Sequence, residues 1–115
     1  MTGSLVSVGH VGVHGDVDAL VAFYRDVVGL AVKVFRSGVV GIFVLGDADF
    51  FVLPGKPGPA GFDLAADDLD ALRARLVAAG ALCTEVSGSK ETGHRSFELT
   101  DPAGNTISLV NAHIG

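Results

Sequence analysis

The feature that most constrains this chain is an internal repeat with a period of about 52 residues. Residues 18–20 and 70–72 are both Asp-Ala-Leu, and each triplet opens an apolar pattern with helical spacing. The two patterns end at glycines, Gly29 and Gly80, which is typical of helix C-termini. A unit of this length that occurs only twice is too short for a solenoid. The repeat therefore predicts two similar modules that pair into one domain.

The hydrophobic periodicity predicts the order β-α-β-β-β in each half. We place the modules at residues 1–54 and 61–115, joined by a Pro- and Gly-rich linker over 55–60. In chain order the predicted elements are strand Leu5–His14, helix Asp16–Val28, strands Leu30–Arg36, Val39–Gly46, Asp49–Leu53 and Phe62–Ala66, helix Asp68–Ala79, and strands Ala81–Val86, His94–Thr100 and Thr106–Val110. Helices on one face of a sheet leave the other face free to curl around a cavity. The predicted fold class is α+β: two βαβββ modules forming one cupped mixed sheet with helices on the outer face.

Length and charge exclude several classes of protein. A chain of 115 residues has room for one domain. Lys and Arg number 8 against 13 for Asp and Glu, giving a net charge of −5 without clustered cations, so we expect no nucleic-acid partner. The single cysteine, Cys83, excludes a disulfide-stapled secreted fold. No apolar run approaches membrane-spanning length and the first residues lack signal-peptide features, so we expect a cytoplasmic protein.

Strand alternation predicts which side chains face the cavity. Apolar strand positions should pack on the helices, as expected for Val11, Val13, Phe62, Leu64, Phe97, Leu99, Ile107 and Leu109. The alternate positions should line the cavity, and the internal repeat adds two residues of the fourth strand. This predicts a ligand-binding set of His10, His14, Phe50, Val52, Asp63, Glu98, Thr106 and Ser108. Acids, imidazoles, hydroxyls and an aromatic wall together are typical of a small-molecule site.

Four segments carry a resemblance to a known superfamily. They are Gly-His-Val-Gly-Val at 9–13, Phe-Tyr-Arg-Asp-Val-Val-Gly-Leu at 23–30, Asp-Asp-Leu-Asp-Ala-Leu at 67–72 and Phe-Glu-Leu-Thr-Asp-Pro-Ala-Gly-Asn at 97–105. In this order they resemble the vicinal oxygen chelate superfamily, which includes glyoxalase I, extradiol dioxygenases, fosfomycin-resistance enzymes and bleomycin-resistance proteins. The resemblance covers nearly the whole chain and implies the cupped fold. It also implies a homodimer in which the modules of two chains complete each other's cups.

The resemblance further implies where a divalent metal would be held in the enzymes of the superfamily. The metal positions on the first and last strands match His10, Gly61, Ser108 and, less closely, Val52. Of these side chains only His10 is a usual ligand for a divalent ion. We therefore predict no bound metal and no other cofactor.

Two classes of function stay open from the sequence. The first is a metal-independent binding protein of the glyoxalase/bleomycin-resistance type, including the drug-sequestering kind that confers antibiotic resistance. Asp63, Glu98 and the acidic balance favour a cationic or neutral, partly aromatic ligand, stacked near Phe50. The alternative is an enzyme (lyase, isomerase or dioxygenase-like) in which His10 with Glu98 or Asp63 forms an acid/base pair or a displaced metal site. An unused or regulatory pocket is a third, less favoured interpretation.

Overall fold

The structure, a computed structural model, describes residues 3–4, 10–88 and 93–111. Residues 5–9 of the predicted first strand lie outside this range. The first module contains β1 (His10–His14), α1 (Val17–Phe23), a π-helical turn (Tyr24–Val28), β2 (Ala31–Arg36), β3 (Val40–Leu45) and β4 (Ala48–Leu53). The second contains β5 (Pro59–Ala66), α2 (Leu69–Ala78), β6 (Leu82–Cys83), β7 (Ser87–Gly88), β8 (Arg95–Thr100) and β9 (Thr106–Asn111).

The sheet topology confirms the α+β fold built from mixed sheets. The first sheet has the order β1-β4-β3-β2, and the second has β5-β9-β8-β6 with β7 also pairing with β8. The first and last strands of each module run parallel, and the other pairs are antiparallel. The initial strands β1 and β5 also contact each other, so the two sheets meet at the centre of the domain. We call the sheet surface opposite the helices the open face.

One apolar core lies between the sheets and the helices. Each helix presents an apolar stripe to it, with Leu20 of α1 and Leu76 of α2 fully buried. The helix-facing strand residues predicted from alternation are buried or packed against this core: Val11, Val13, Phe62, Leu64, Phe97, Leu99, Ile107 and Leu109. The prediction of which residues of β1, β5, β8 and β9 pack on the core is therefore confirmed.

The ends of the helices follow from their local sequence. The Asp16 carboxylate accepts from the backbone N–H of Ala19 at 3.3 Å, and the Asp68 carboxylate accepts from that of Ala71 at 3.0 Å. Gly29 ends the first helical segment in the left-handed region, at φ 91°. The last turn before it is π-helical rather than α-helical, since the Tyr24 carbonyl accepts from the N–H groups of both Gly29 and Leu30.

Two predicted boundaries differ in the structure. Strand β5 starts at Pro59, inside the predicted linker, because Pro59 pairs with Thr106 at a strand start where its missing N–H costs nothing. The strand predicted over Ala81–Val86 is shortened to β6 at Leu82–Cys83, and β7 at Ser87–Gly88 lies just beyond the predicted range. The chain leaves the ladder between them because the Thr84 hydroxyl, rather than a backbone carbonyl, accepts from the Glu98 N–H at 2.8 Å.

Candidate functional site

A cavity of about 610 Å³ lies where the two modules meet. We call it the junction cavity. Strand β1, the end of β4, the linker and the start of β5 form its walls. Its lining includes Phe51 and Leu53 of β4, Gly61 of β5, and the polar residues Lys56 and Asn105. The volume and the mainly apolar wall with a few polar groups are those of a small-molecule site.

The two predicted histidines lie on β1. His14 ends the strand, is exposed and lines the junction cavity, next to Gly55 of the linker. The backbone of His10 pairs with Asp49 of β4, which puts it on the strand that borders the cavity. The side chain of His10 lies outside the part of the structure that is described.

The predicted cavity positions Phe50 and Val52 are wrong. Both side chains are 0% exposed and belong to the core, where the Phe50 ring packs on Tyr24 with centroids 4.9 Å apart. The reason is the register of the parallel pair, in which Val13 lies opposite Val52 and shares its face. The aromatic side chain of β4 that lines the cavity is Phe51.

Three of the predicted polar residues form a row across the second sheet. Ser108 of β9 is the register partner of both Asp63 on β5 and Glu98 on β8. All three side chains therefore share the open face, with the two carboxylates exposed and Ser108 half-buried. Strands are spaced about 4.8 Å apart, so the backbones that carry the two carboxylates lie about 10 Å apart.

This row borders the junction cavity without lining it. Thr106 lies one step along β9 from Ser108 on the same face and is half-buried. None of the four side chains at 63, 98, 106 and 108 belongs to the wall of the cavity. Gly61 does belong to it, and the exposure along β5 alternates so that Gly61 and Asp63 share a face. Asp63 therefore lies directly beside the cavity wall, two residues along β5 from Gly61 on the same face.

The sequence interpretation missed a cation at the cavity. Lys56 lines it from the linker, whereas only strand positions had been assigned to cavity or helix faces. A second lysine on the open face is neutralised, since the Lys33 ammonium lies 3.2 Å from the Asp49 carboxylate. The junction cavity is thus cationic at its linker end and borders two carboxylates on the second sheet.

The β8–β9 turn joins the two modules through buried polar groups, which the sequence interpretation also missed. The Tyr24 hydroxyl donates to the Asp101 carboxylate at 2.7 Å, and the Asn105 amide donates to the same oxygen at 2.9 Å. The Asn105 amide also donates to the His14 carbonyl at 2.9 Å, and its oxygen accepts from the Gly58 N–H at 3.0 Å. We call these residues the junction network. The sequence carries no clear signal for it, because Asp and Asn are common turn residues and their burial is visible only in the structure.

The electrostatics of this network keep Tyr24 neutral. Burial raises the pKa of the Tyr24 phenol, and the hydrogen bond to Asp101 and the charge of that carboxylate raise it further. The other Asp101 oxygen accepts from the backbone N–H groups of residues 103–105 at 3.0–3.1 Å. Asp101 therefore accepts hydrogen bonds on both oxygens while nearly fully buried.

A divalent metal does not fit the residues that the structure describes. Within residues 3–4, 10–88 and 93–111, no three His, Cys, Asp or Glu side chains converge as a ligand set. Phe51 takes the place on the open face that was expected for Val52. Neither Phe51 nor Gly61 has a side-chain atom that could coordinate a metal ion. Because the His10 side chain is not described, the absence of a metal stays a prediction.

Comparison with known proteins decides the family. Residues 11–110 match the family model described as a glyoxalase-like domain. The chain belongs to this family. The resemblance to the vicinal oxygen chelate superfamily is therefore confirmed, as is its implied fold.

Solved structures with this glyoxalase-like fold include both an enzyme and binding proteins. A lactoylglutathione lyase from Agrobacterium tumefaciens superposes with a TM-score of 0.80 at 22% identity, covering 96% of each chain. An antibiotic-binding protein from Streptomyces sp. CB03234 gives 0.80 at 22% identity, covering 97% of this chain and 100% of its own. The bleomycin-binding protein of Streptomyces verticillus, in complex with copper(II)-bleomycin, gives 0.74 at 19% identity, covering 96% and 100%. These identities establish the shared fold.

Among curated protein sequences, none matches this chain. In the described part of this glyoxalase-like domain, no helix has the length and apolarity needed to cross a membrane.

Proposed function

We propose that this glyoxalase-like domain is a metal-independent small-molecule-binding protein. The observation that carries the proposal is the junction cavity of about 610 Å³, with an aromatic wall and no converging metal ligands among the described residues. Binding by affinity alone needs a shaped apolar site and a few polar groups, and no catalytic group. Two structural neighbours are binding proteins for antibiotics, one of them for bleomycin, which supports sequestration of a drug-like molecule. We place this activity in the cytoplasm.

The ligand that we propose is neutral or cationic and partly aromatic. Its ring packs on Phe51, which replaces Phe50 as the aromatic surface of the site. A cationic group on the ligand points away from Lys56 and towards Asp63 or Glu98, because like charges repel and the open face carries two carboxylates there. The excess of acidic residues in the chain acts in the same direction.

We further propose that the protein is a homodimer whose open faces cover each other. Ile42 of β3 pairs with both Phe51 of β4 and Val34 of β2, so these three side chains share the open face. Val44 lies two residues from Ile42 on the same face. Val34 and Val44 are 37% and 47% exposed. The whole of β2 is exposed, so none of the residues that the structure describes covers the apolar open face of the first sheet at this strand. The second module of a partner would supply that cover and add its polar row to the site. A monomer mass in light scattering at micromolar concentration would contradict this arrangement.

Substitution of the polar row tests the proposed ligand preference. We expect Glu98→Gln to weaken a cationic ligand by tenfold or more, since the covered dimer site desolvates this carboxylate. Metal-free bleomycin, a cationic antibiotic with an aromatic part, is the first probe, measured by titration calorimetry. Asp47→Asn, in an exposed turn between β3 and β4, is the matched control and should leave the dissociation constant unchanged.

The outcome for bleomycin alone does not decide the class of ligand. A panel of aromatic amines and aromatic carboxylates of equal size extends the test beyond this one antibiotic. Tight binding of a carboxylate that is lost in Lys56→Ala would reverse the proposed charge preference. If Glu98→Gln binds every probe of the panel with the same dissociation constant as the unsubstituted protein, the polar row does not contribute to the site.

An enzyme of the same fold is the second candidate function. It is favoured by the lactoylglutathione lyase, which superposes as well as the antibiotic-binding protein does. His10 with Glu98 or Asp63 would then act as acid and base or at a displaced metal site. We expect the purified protein to carry less than one equivalent of divalent ion, unaltered by His10→Ala. Stoichiometric metal that is lost in this variant would favour the enzyme.

A further inference from the structure

A second cavity, of about 380 Å³, lies on the helix side of the domain. We call it the helix-side cavity. Its walls come from both modules: Tyr24 and Val28 of the π-helical turn on one side, and Leu72 of α2 with Leu109 of β9 on the other. It shares no lining residue with the junction cavity.

The chemistry of this cavity is almost entirely that of hydrocarbon. Two lining residues carry ionisable groups, Tyr24 and Asp67. The Tyr24 hydroxyl is already bonded to Asp101 and stays neutral, as described above. Asp67 is exposed, follows β5 directly, and accepts from the Asp68 N–H at 2.8 Å. The cavity thus combines an apolar interior with one carboxylate where the wall reaches solvent.

We propose that the helix-side cavity binds a small apolar amine. The apolar part lies between Val28 and Leu72, and the ammonium group lies at Asp67. Two physical arguments support this orientation. Moving hydrocarbon from water to an apolar wall is favourable, whereas an amine buried without a partner would lose its hydration. Asp67 is the one charged residue in the lining, since the Arg75 guanidinium lies outside it on the carbonyls of Val27 and Val28; its carboxylate attracts a cation and repels an anionic ligand of the same shape.

The cavity spans both modules, so its ligand stabilises the folded domain. Arg75 of α2 already links them here, since its guanidinium donates to the carbonyls of Val27 and Val28 at 2.7 and 2.8 Å. A ligand that binds only the folded state at a hundred times its dissociation constant raises Tm by on the order of 10 °C for a domain of this size. The site is independent of the proposed function, because neither cavity needs the other to be occupied.

Three probes of one shape test the charge preference: 2-phenylethylamine, 2-phenylethanol and 3-phenylpropanoate. Methyl resonances of Leu72 and Leu109 are followed by NMR during each titration. We expect the methyl resonances of both residues to shift on addition of the amine. The amine should bind about tenfold or more tighter than the carboxylate, because Asp67 attracts the ammonium group and repels the carboxylate of the probe. Asp67→Asn should weaken the amine about fivefold. Asp47→Asn, also exposed, should not.

A substitution that fills the cavity tests its location. Leu72→Trp places a larger side chain in the wall and should abolish binding of the amine. Val77→Trp is the matched control, because Val77 lies on the exposed side of the same helix and should leave binding unaltered. The methyl shifts in the unsubstituted protein keep the test valid if Leu72→Trp does not fold.

Three results would overturn the proposal. One is equal affinity for the amine and the carboxylate, and another is unchanged amine binding by Asp67→Asn. The third is a set of backbone amide shifts, recorded in the same titrations, that is confined to His14 and Phe51 and would place the probe in the junction cavity. That third result rejects the helix-side site while leaving the proposed function intact. Failure of bleomycin to bind, by contrast, has no effect on this test.

Discussion

Tyr24→Phe removes one hydroxyl from the buried network that joins the two modules. The substitution keeps the ring, and with it the packing against Phe50. It deletes the 2.7 Å hydrogen bond to Asp101, a carboxylate that is 4% exposed and cannot recover the lost donor from bulk water. That oxygen of Asp101 keeps only the Asn105 amide among the donors described for it.

The expected loss is set by the charge of the acceptor. A hydrogen bond to a charged group contributes about 1.5–3 kcal/mol to stability, so we expect the free energy of unfolding to fall by about 2 kcal/mol. Typical domains have only about 5–15 kcal/mol in total. For a domain of this size the loss corresponds to a decrease of about 8 °C in Tm.

The same substitution has a distinct pH signature. Burial and Asp101 raise the pKa of Tyr24 in the folded protein, whereas in the unfolded chain it ionises near pH 10. The neutral phenol therefore contributes its full stability below about pH 10. Above this pH the unfolded state loses a proton that the folded state keeps, and stability falls by about 1.4 kcal/mol per pH unit. Phe at this position has no proton to lose.

Urea unfolding at several pH values measures both effects. The difference between the unsubstituted protein and Tyr24→Phe should be constant from pH 7 to about pH 9 and shrink above about pH 10. Tyr24 is the only tyrosine in the chain, so tyrosinate absorbance reports its ionisation directly. Ser37→Ala, which removes an exposed hydroxyl bonded to Asp18, is the control and should cost under about 0.5 kcal/mol. A loss below about 0.5 kcal/mol for Tyr24→Phe, or a difference that does not change with pH, would refute the reasoning.

Three further substitutions test the assignment of faces and contacts. Phe50→Ala should lower the free energy of unfolding, measured with urea, by about 3–5 kcal/mol. Phe51→Ala should lower it far less but weaken ligand binding. Equal losses of stability would contradict the assignment of Phe50 to the core and Phe51 to the cavity. Arg75→Ala should cost about 1 kcal/mol and speed amide exchange in the π-helical turn, and unchanged exchange would show that this contact is not formed. Gly12→Ala places a Cβ 2.5 Å from the Phe51 carbonyl oxygen and should cost about 1–3 kcal/mol in thermal unfolding, whereas Gly61→Ala meets nothing within 4 Å and should be neutral.

The parts of the fold that depend on short-range chemistry were predictable from the sequence. Caps such as Asp16 and Asp68 act on backbone groups three residues away, so a sequence window contains both partners. The internal repeat then gave the module order without any knowledge of long-range contacts. The π-helical turn was not predictable in this way, because the carbonyls of Val27 and Val28 bond to Arg75, 47–48 residues away.

The cavity was less predictable because its walls depend on register. Residues 50–53 are all apolar, so alternation carries no signal about which of them faces the core. Only the pairing of β4 with β1 decides that Phe50 is buried and Phe51 lines the cavity. Lys56 was missed for a related reason, since the direction of a loop side chain is set by tertiary contacts and not by periodicity.

The Asp-Pro-Ala-Gly-Asn turn explains how one segment specifies both fold and site. Gly104 adopts a φ of 99°, which only glycine enters readily, and this lets the backbone N–H groups of residues 103–105 converge on the Asp101 carboxylate. The turn so formed aims Asn105 at the His14 carbonyl and the Gly58 N–H. Both of those residues line the junction cavity, as does Asn105 itself. The shape of the cavity therefore depends on this turn. We expect substitutions at Phe51, Lys56 or Asp63 to change the ligand preference of the proposed site without disturbing the hydrogen bonds of the junction network.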